Sequence, residues 1–146
     1  MLVLIVLFGG LLLFRLLGFL GVGIFATWHA ATTYAVALMF LFTASGHFGK
    51  MREDLARMVP PWVPNPRAVV FVSGILEVLG AIGLIFPETR WLAGLCLILF
   101  LIAVFPANVH AAQTKSTIAG RSATPLGVRA PMQILFILLL VWVMSE

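Results

Sequence analysis

Charge is scarce in this sequence. Only 10% of its 146 residues are Asp, Glu, Lys or Arg, while 62% are hydrophobic. A water-soluble domain needs a polar shell that these numbers cannot supply, so the composition excludes one and points to an integral membrane protein. Cysteine is nearly absent as well, with Cys96 alone in an apolar run. A single thiol excludes a disulfide framework, CxxC exchange and a cysteine-based zinc site. The three histidines, His29, His47 and His110, are far apart. His29 falls at the opposite end of its segment from the others, which speaks against a three-histidine metal centre. A haem held by His47 and His110 is conceivable at matched depth, but buried histidines are more often simply hydrogen bonded. The stretch GVGIFA, residues 21–26, matches a dinucleotide fingerprint on paper. No strand precedes it, so no nucleotide cofactor follows.

What the chain has in abundance is long apolar segments. They run over residues 2–26, 30–48, 68–86, 91–112 and 126–144. A span needs about 20 apolar residues at about 1.5 Å each, so the chain has room for four or five helices and no further domain. Residues 1–146 therefore read as a single membrane domain, an all-α polytopic transmembrane helix bundle. The first segment could pass for a secretory signal. It lacks a basic leader, carries Arg15 in mid-run and has no clear small-residue cleavage site, so a retained span is expected.

Charge placement sets orientation. If all five segments span, Lys50, Arg52, Arg57, Arg67, Lys115, Arg121 and Arg129 share one side and Arg90 stands alone on the other. By the positive-inside rule the amino terminus and both long basic loops are cytoplasmic and the carboxyl terminus is outside, in a bacterial inner membrane. The basic excess then faces lipid, and no nucleic-acid partner is expected. In the first loop, Met51, Leu55, Met58 and Val59 recur at helical spacing, as in a short interfacial helix. Pro60, Pro61, Pro64 and Pro66 end it in a stiff elbow, with Trp62 as a headgroup-level anchor. The loop reads as a connector with a snorkelling basic face, or else as a lid over a ligand. The second loop, rich in Ser, Thr and Gly, reads as mobile, and PETRW, residues 87–91, as a tight turn between two antiparallel spans.

Polar groups inside spans are costly, at roughly 2.5 to 3.5 kcal/mol for a central charge on insertion scales, and must face protein or water. Segment directions place His47, Asn108, His110 and Gln133 in one layer near the cytoplasmic surface, with Arg129 at its rim. Arg15 and Glu77 lie deeper. Glu77 is flanked one turn away by Ser73, Gly74, Gly80 and Ala81, which lets a neighbouring helix approach and bring it a partner. Arg15 is the deep cation available for an ion pair, and His47 or His110 could reach it from above. Such a pair is either structural only, or it handles protons or binds a ligand. Pro106 frees the Ile102 carbonyl and can kink its helix, beside a stripe of Ala103, Ala107 and Ala111. Asn108 and His110 then either turn into the bundle or cap that helix.

Four motifs in order, SGHF (45–48), GILEVLGAIGL (74–84), FPANVHAA (105–112) and VRAPMQ (128–133), with Trp142 beyond, closely resemble the pattern of small DoxX-like membrane proteins of bacteria. The resemblance covers about residues 35 to 144 and is more specific as a set than any motif alone. It implies four helices, with the first segment as an additional amino-terminal one. It implies His47, Glu77, Asn108, His110, Arg129 and Gln133 as a polar core. The family name comes from a subunit associated with thiosulfate:quinone oxidoreductase, which implies quinone-linked redox work. Two functions follow. In one, the polar layer binds a quinone-like or other small lipophilic molecule. In the other, the chain is a non-catalytic accessory or assembly subunit, its first helix packing through Gly9, Gly10, Gly18, Gly21 and Gly23 against another membrane subunit or a second copy.

Overall fold

Runs of Leu, Ile, Val and Phe with few breakers form helices wherever the backbone must satisfy its own hydrogen bonds. The computed structural model describes residues 2–145 except Ser116, Ala119 and Ala123, with Ile118 and Arg121 described by backbone alone. It contains six α-helices: α1 Leu2–Phe19, α2 Trp28–Phe48, α3 Arg52–Met58, α4 Pro66–Ile85, α5 Pro87–Gln113 and α6 Leu126–Val143. A two-residue antiparallel ladder pairs Thr117–Ile118 with Arg121–Ser122 around Gly120. The all-helical expectation holds.

Helices α2, α4, α5 and α6 close a ring in that order, and α1 packs along α2. Short connections make successive long helices antiparallel, so the two long loops meet at one end, where α3 touches the ladder. The core runs along the bundle through Phe40, Met39, Leu84, Leu97 and Leu140, with Leu7 of α1 joining it. Most other large apolar side chains point outward, among them Ile5, Leu12, Leu79, Leu92 and Leu138. That pattern fits a lipid environment.

Four helices, α1, α4, α5 and α6, are long and apolar enough to cross a membrane. Helix α2 is as long but carries His29, Thr32, Thr33, Thr43 and Ser45. It can do so because α1, α4 and α6 surround it, and its Thr32 and Thr33 hydroxyls bond back to the Trp28 and His29 carbonyls.

The borders differ from the apolar pattern in two instructive places. The first helix stops at Phe19, although the apolar run continues to Ala26. Gly21 takes a left-handed turn at φ 97°, and a short 3-10 turn over Gly23–Phe25 folds back so closely that a Cβ on Gly18 would sit 2.0 Å from the Phe25 oxygen. PETRW is not a turn. Pro87 starts α5, and Phe86 alone joins it to α4. Proline suits the first helical position because its missing N–H would be unpaired there anyway. Thr89 Oγ1 and Arg90 Nε then donate to the Gly83 and Leu84 carbonyls at 2.8 and 3.1 Å, closing the end of α4.

The first loop forms the expected short helix, α3, with Met58 buried against the bundle. Its elbow turns through a Val63 N–H to Pro60 carbonyl bond, then through Asn65 at φ 52° into Pro66. Trp62 stands 72% exposed at its tip. Of the second loop, expected to be mobile, Ser116, Ala119 and Ala123 lie outside the described residues.

Candidate functional site

Two positions one turn apart on a helix share a face. Thr43 and His47 do so on α2, and Ser73 and Glu77 do so on α4. Where the helices cross, the two pairs interlock. Thr43 Oγ1 donates to Glu77 Oε1 at 2.9 Å, and His47 Nε2 lies 3.1 Å from Oε2. On the other side of the ring, Nδ1 lies 2.9 Å from both the Val70 carbonyl and Ser73 Oγ. The Ser73 hydroxyl itself donates to Val70. Gly74 permits this closeness: a Cβ there would fall 2.6 Å from the His47 Cβ.

The bonding pattern counts protons. Val70 offers only a carbonyl acceptor, so Nδ1 carries a hydrogen. Contact between Nε2 and Oε2 is then attractive only with one proton at the pair, either as imidazolium and carboxylate or as neutral imidazole and acid. Both forms have no net charge. That neutrality lowers the cost of placing the pair in a membrane bundle. The ring N–H is not aligned on Oε2, which keeps ion-pair reach without a well-formed hydrogen bond. Glu77 is only 4% exposed.

The remaining expected residues gather between α5 and α6. An Arg129 Nη1 group donates to Asn108 Oδ1 at 2.5 Å, and Gln133 Nε2 donates to the Leu101 carbonyl at 3.0 Å. Leu101 adjoins the Ile102 carbonyl that Pro106 leaves without its helical N–H. His110 belongs to neither cluster. It lines a groove of about 410 Å³ with Pro60, Pro61, Trp62, Phe105 and Pro106, and its carbonyl accepts from the Thr114 hydroxyl. The expected polar core is thus two bonded clusters and one groove residue.

The expected Arg15–Glu77 ion pair does not form. Arg15 Nη1 donates to the Phe25 and Ala26 carbonyls at 3.0 and 2.8 Å, and the guanidinium stacks on Phe19 and Trp28. It sits level with the start of α2, whereas Glu77 meets Thr43, fifteen residues further on, about 22 Å along the axis. Because α1 is shorter than its apolar run, Arg15 falls near its carboxyl end instead of mid-span and serves the turn that follows. The end opposite the basic loops therefore carries Arg15 as well as Arg90. At that same end His29 Nε2 contacts the Trp142 carbonyl at 3.2 Å, far from His47 and His110.

Thr43 is a member of the site that the sequence pattern did not single out, and Ser73, expected only as a small neighbour of Glu77, is another. Their signal was present in the one-turn spacing of Thr43 from His47 and of Ser73 from Glu77. A second groove, about 750 Å³, lies outside the α4 and α5 hairpin and is lined by Leu79, Gly80, Leu92, Cys96 and Leu97 among others. Neither groove reaches Glu77.

Fold and site together define a helical bundle with at least four helices of membrane-crossing character and paired, interior polar groups. Within that class, the chain belongs to the family described as Domain of unknown function (DUF8561), whose model matches residues 36–145. The match takes in α3 to α6 and most of α2, and leaves out α1. No curated protein and no solved structure matches the chain significantly.

Proposed function

We propose that the chain is a DoxX-like accessory or assembly subunit of a redox-linked complex in the bacterial inner membrane, and that its bundle performs no chemistry of its own. Five helices cross the bilayer in this reading, with the amino terminus and both basic loops in the cytoplasm. Helix α1 is the addition to a four-helix DoxX-like ring. The carrying observation is the buried state of Glu77, whose two oxygens meet Thr43 and His47 and which lines neither of the two grooves. A proton-handling carboxylate needs a path to its substrate or to water, and a buried pair in ion-pair contact serves instead to fix helix register.

One observation favours a second reading. His110 lines the groove under the elbow beside Trp62, and in this reading that groove, of a volume common for small-molecule sites, takes a quinone-like or other small lipophilic molecule. Gentle extraction from native membrane followed by mass spectrometry separates the two. A stoichiometric membrane partner supports the accessory role, and a bound lipophilic redox molecule without a partner overturns it.

A further inference from the structure

Arg129 has more donors than the described residues fill. Its guanidinium presents five N–H groups, and among the described residues it makes one bond, to Asn108. Among the described residues no carboxylate lies within ion-pair distance of it. The two acids at this end are already engaged, Glu53 with Arg67 and Asp54 with Arg57. Seven basic residues, Lys50, Arg52, Arg57, Arg67, Lys115, Arg121 and Arg129, share the end with those two acids. A surplus of positive charge therefore faces outward, and its counter-ions come from outside the chain.

Arg129 is half-buried between α5 and α6 and is bonded there to Asn108. The Asn108 amide oxygen accepts from one Nη on the α5 side, which anchors the guanidinium beside that helix. A planar guanidinium anchored at one Nη suits the oxygens of a phosphate, and the ends of membrane helices lie at the depth of lipid phosphates. We propose that Arg129, positioned by Asn108, binds the headgroup phosphate of an anionic phospholipid in the leaflet at the basic-loop end of the bundle. Asn108 is then a positioning residue and Arg129 the binding one. Lys115 and Arg121 add only diffuse attraction.

The site rests on the bundle lying in the bilayer, as read above. Its test uses the full chain in nanodiscs of equal phosphatidylglycerol and phosphatidylcholine, with lipids retained on release counted by native mass spectrometry. Phosphatidylglycerol is expected to exceed phosphatidylcholine by roughly fivefold, the scale of one basic side chain at an anionic surface. Arg129→Gln and Asn108→Ala are each expected to bring the ratio near one, while the Lys115→Gln/Arg121→Gln double variant keeps the excess. A ratio near one in the unaltered protein overturns the proposal. So does an excess that survives in Arg129→Gln, or one lost in the double variant. If Arg129→Gln loses helical content by circular dichroism, Arg129→Lys replaces it, keeping the charge without the fork, and an undiminished excess there overturns the site equally. A chain that fails to enter nanodiscs contradicts the membrane reading, whereas one that enters and retains both lipids equally contradicts this site alone.

Discussion

His47 and Glu77 face each other at 3.1 Å across the crossing of α2 and α4, and Thr43 and Ser73 hold the far side of each partner. The consequence is a pair that tolerates neutral replacement better than removal. Glu77→Ala leaves the imidazole without its partner and the Thr43 hydroxyl without its acceptor, and is expected to cost about 3 kcal/mol. Glu77→Gln keeps an acceptor for Thr43 and offers a donor to a neutral imidazole, so a loss below about 1 kcal/mol is expected. Unfolding in detergent by sodium dodecyl sulfate titration ranks the two. Equal losses would mean that the pair does not hold the helices together.

Coupling should be confined to that crossing. His47→Ala combined with Glu77→Ala is expected to cost less than the sum of the single changes by about 1 kcal/mol or more, since each removal orphans the same partner. Arg15→Met combined with Glu77→Ala should add within about 0.5 kcal/mol, because the two sites lie at different depths and share no contact. A strong Arg15 coupling in the same titrations would restore the ion pair that the structure replaces.

Arg15 fastens the turn after α1. Losing its bonds to the Phe25 and Ala26 carbonyls should raise amide exchange across residues 20–27 in Arg15→Met while leaving residues 43–47 and 73–77 protected. Uniform loosening of all three stretches would assign Arg15 a wider role.

Small residues are required only where helices touch. Gly74→Ala places a methyl 2.6 Å from the His47 Cβ, forcing α2 and α4 apart, and is expected to destabilise by about 2 kcal/mol. Gly9→Ala meets nothing within 4 Å and should be neutral or slightly stabilising, as expected for a glycine in an open helix interior. Thermal denaturation in one detergent compares them directly, and similar melting shifts would contradict the close approach at Gly74.

Orientation is open to chemistry. In a Cys96→Ser background, Lys115→Cys is expected to react with a membrane-impermeant maleimide only after the cytoplasmic side is opened, and Glu88→Cys from outside intact cells. The reverse pattern would invert the assigned topology and place the basic end outside.

Much of the architecture was legible because apolar run length maps directly onto helix length in a medium without water. The five long helices, the amphipathic α3 and the proline elbow all follow from local pattern. The turn after Phe19 did not, because Leu20, Val22, Ile24 and Phe25 are apolar whether they continue a helix or fold back, and the choice depends on Arg15 reaching carbonyls that exist only once the chain has turned. The first turn of α5 was hidden by Pro87, which reads as a breaker yet fits the first helical position.

By itself the sequence determined which residues had to avoid lipid: His47, Glu77, Asn108, Arg129 and Gln133, since each carries a group that hydrocarbon cannot satisfy. Tertiary structure alone decided whom each would meet. Helical spacing fixes direction around one axis, but pairing across axes depends on the rotation and depth at which separate helices settle. Those are set by steric contacts such as Gly74 against His47 and Gly80 against Leu97. That is why Glu77 took the histidine one crossing away, and why Arg15, a plausible partner by charge, remained at the other end of the bundle.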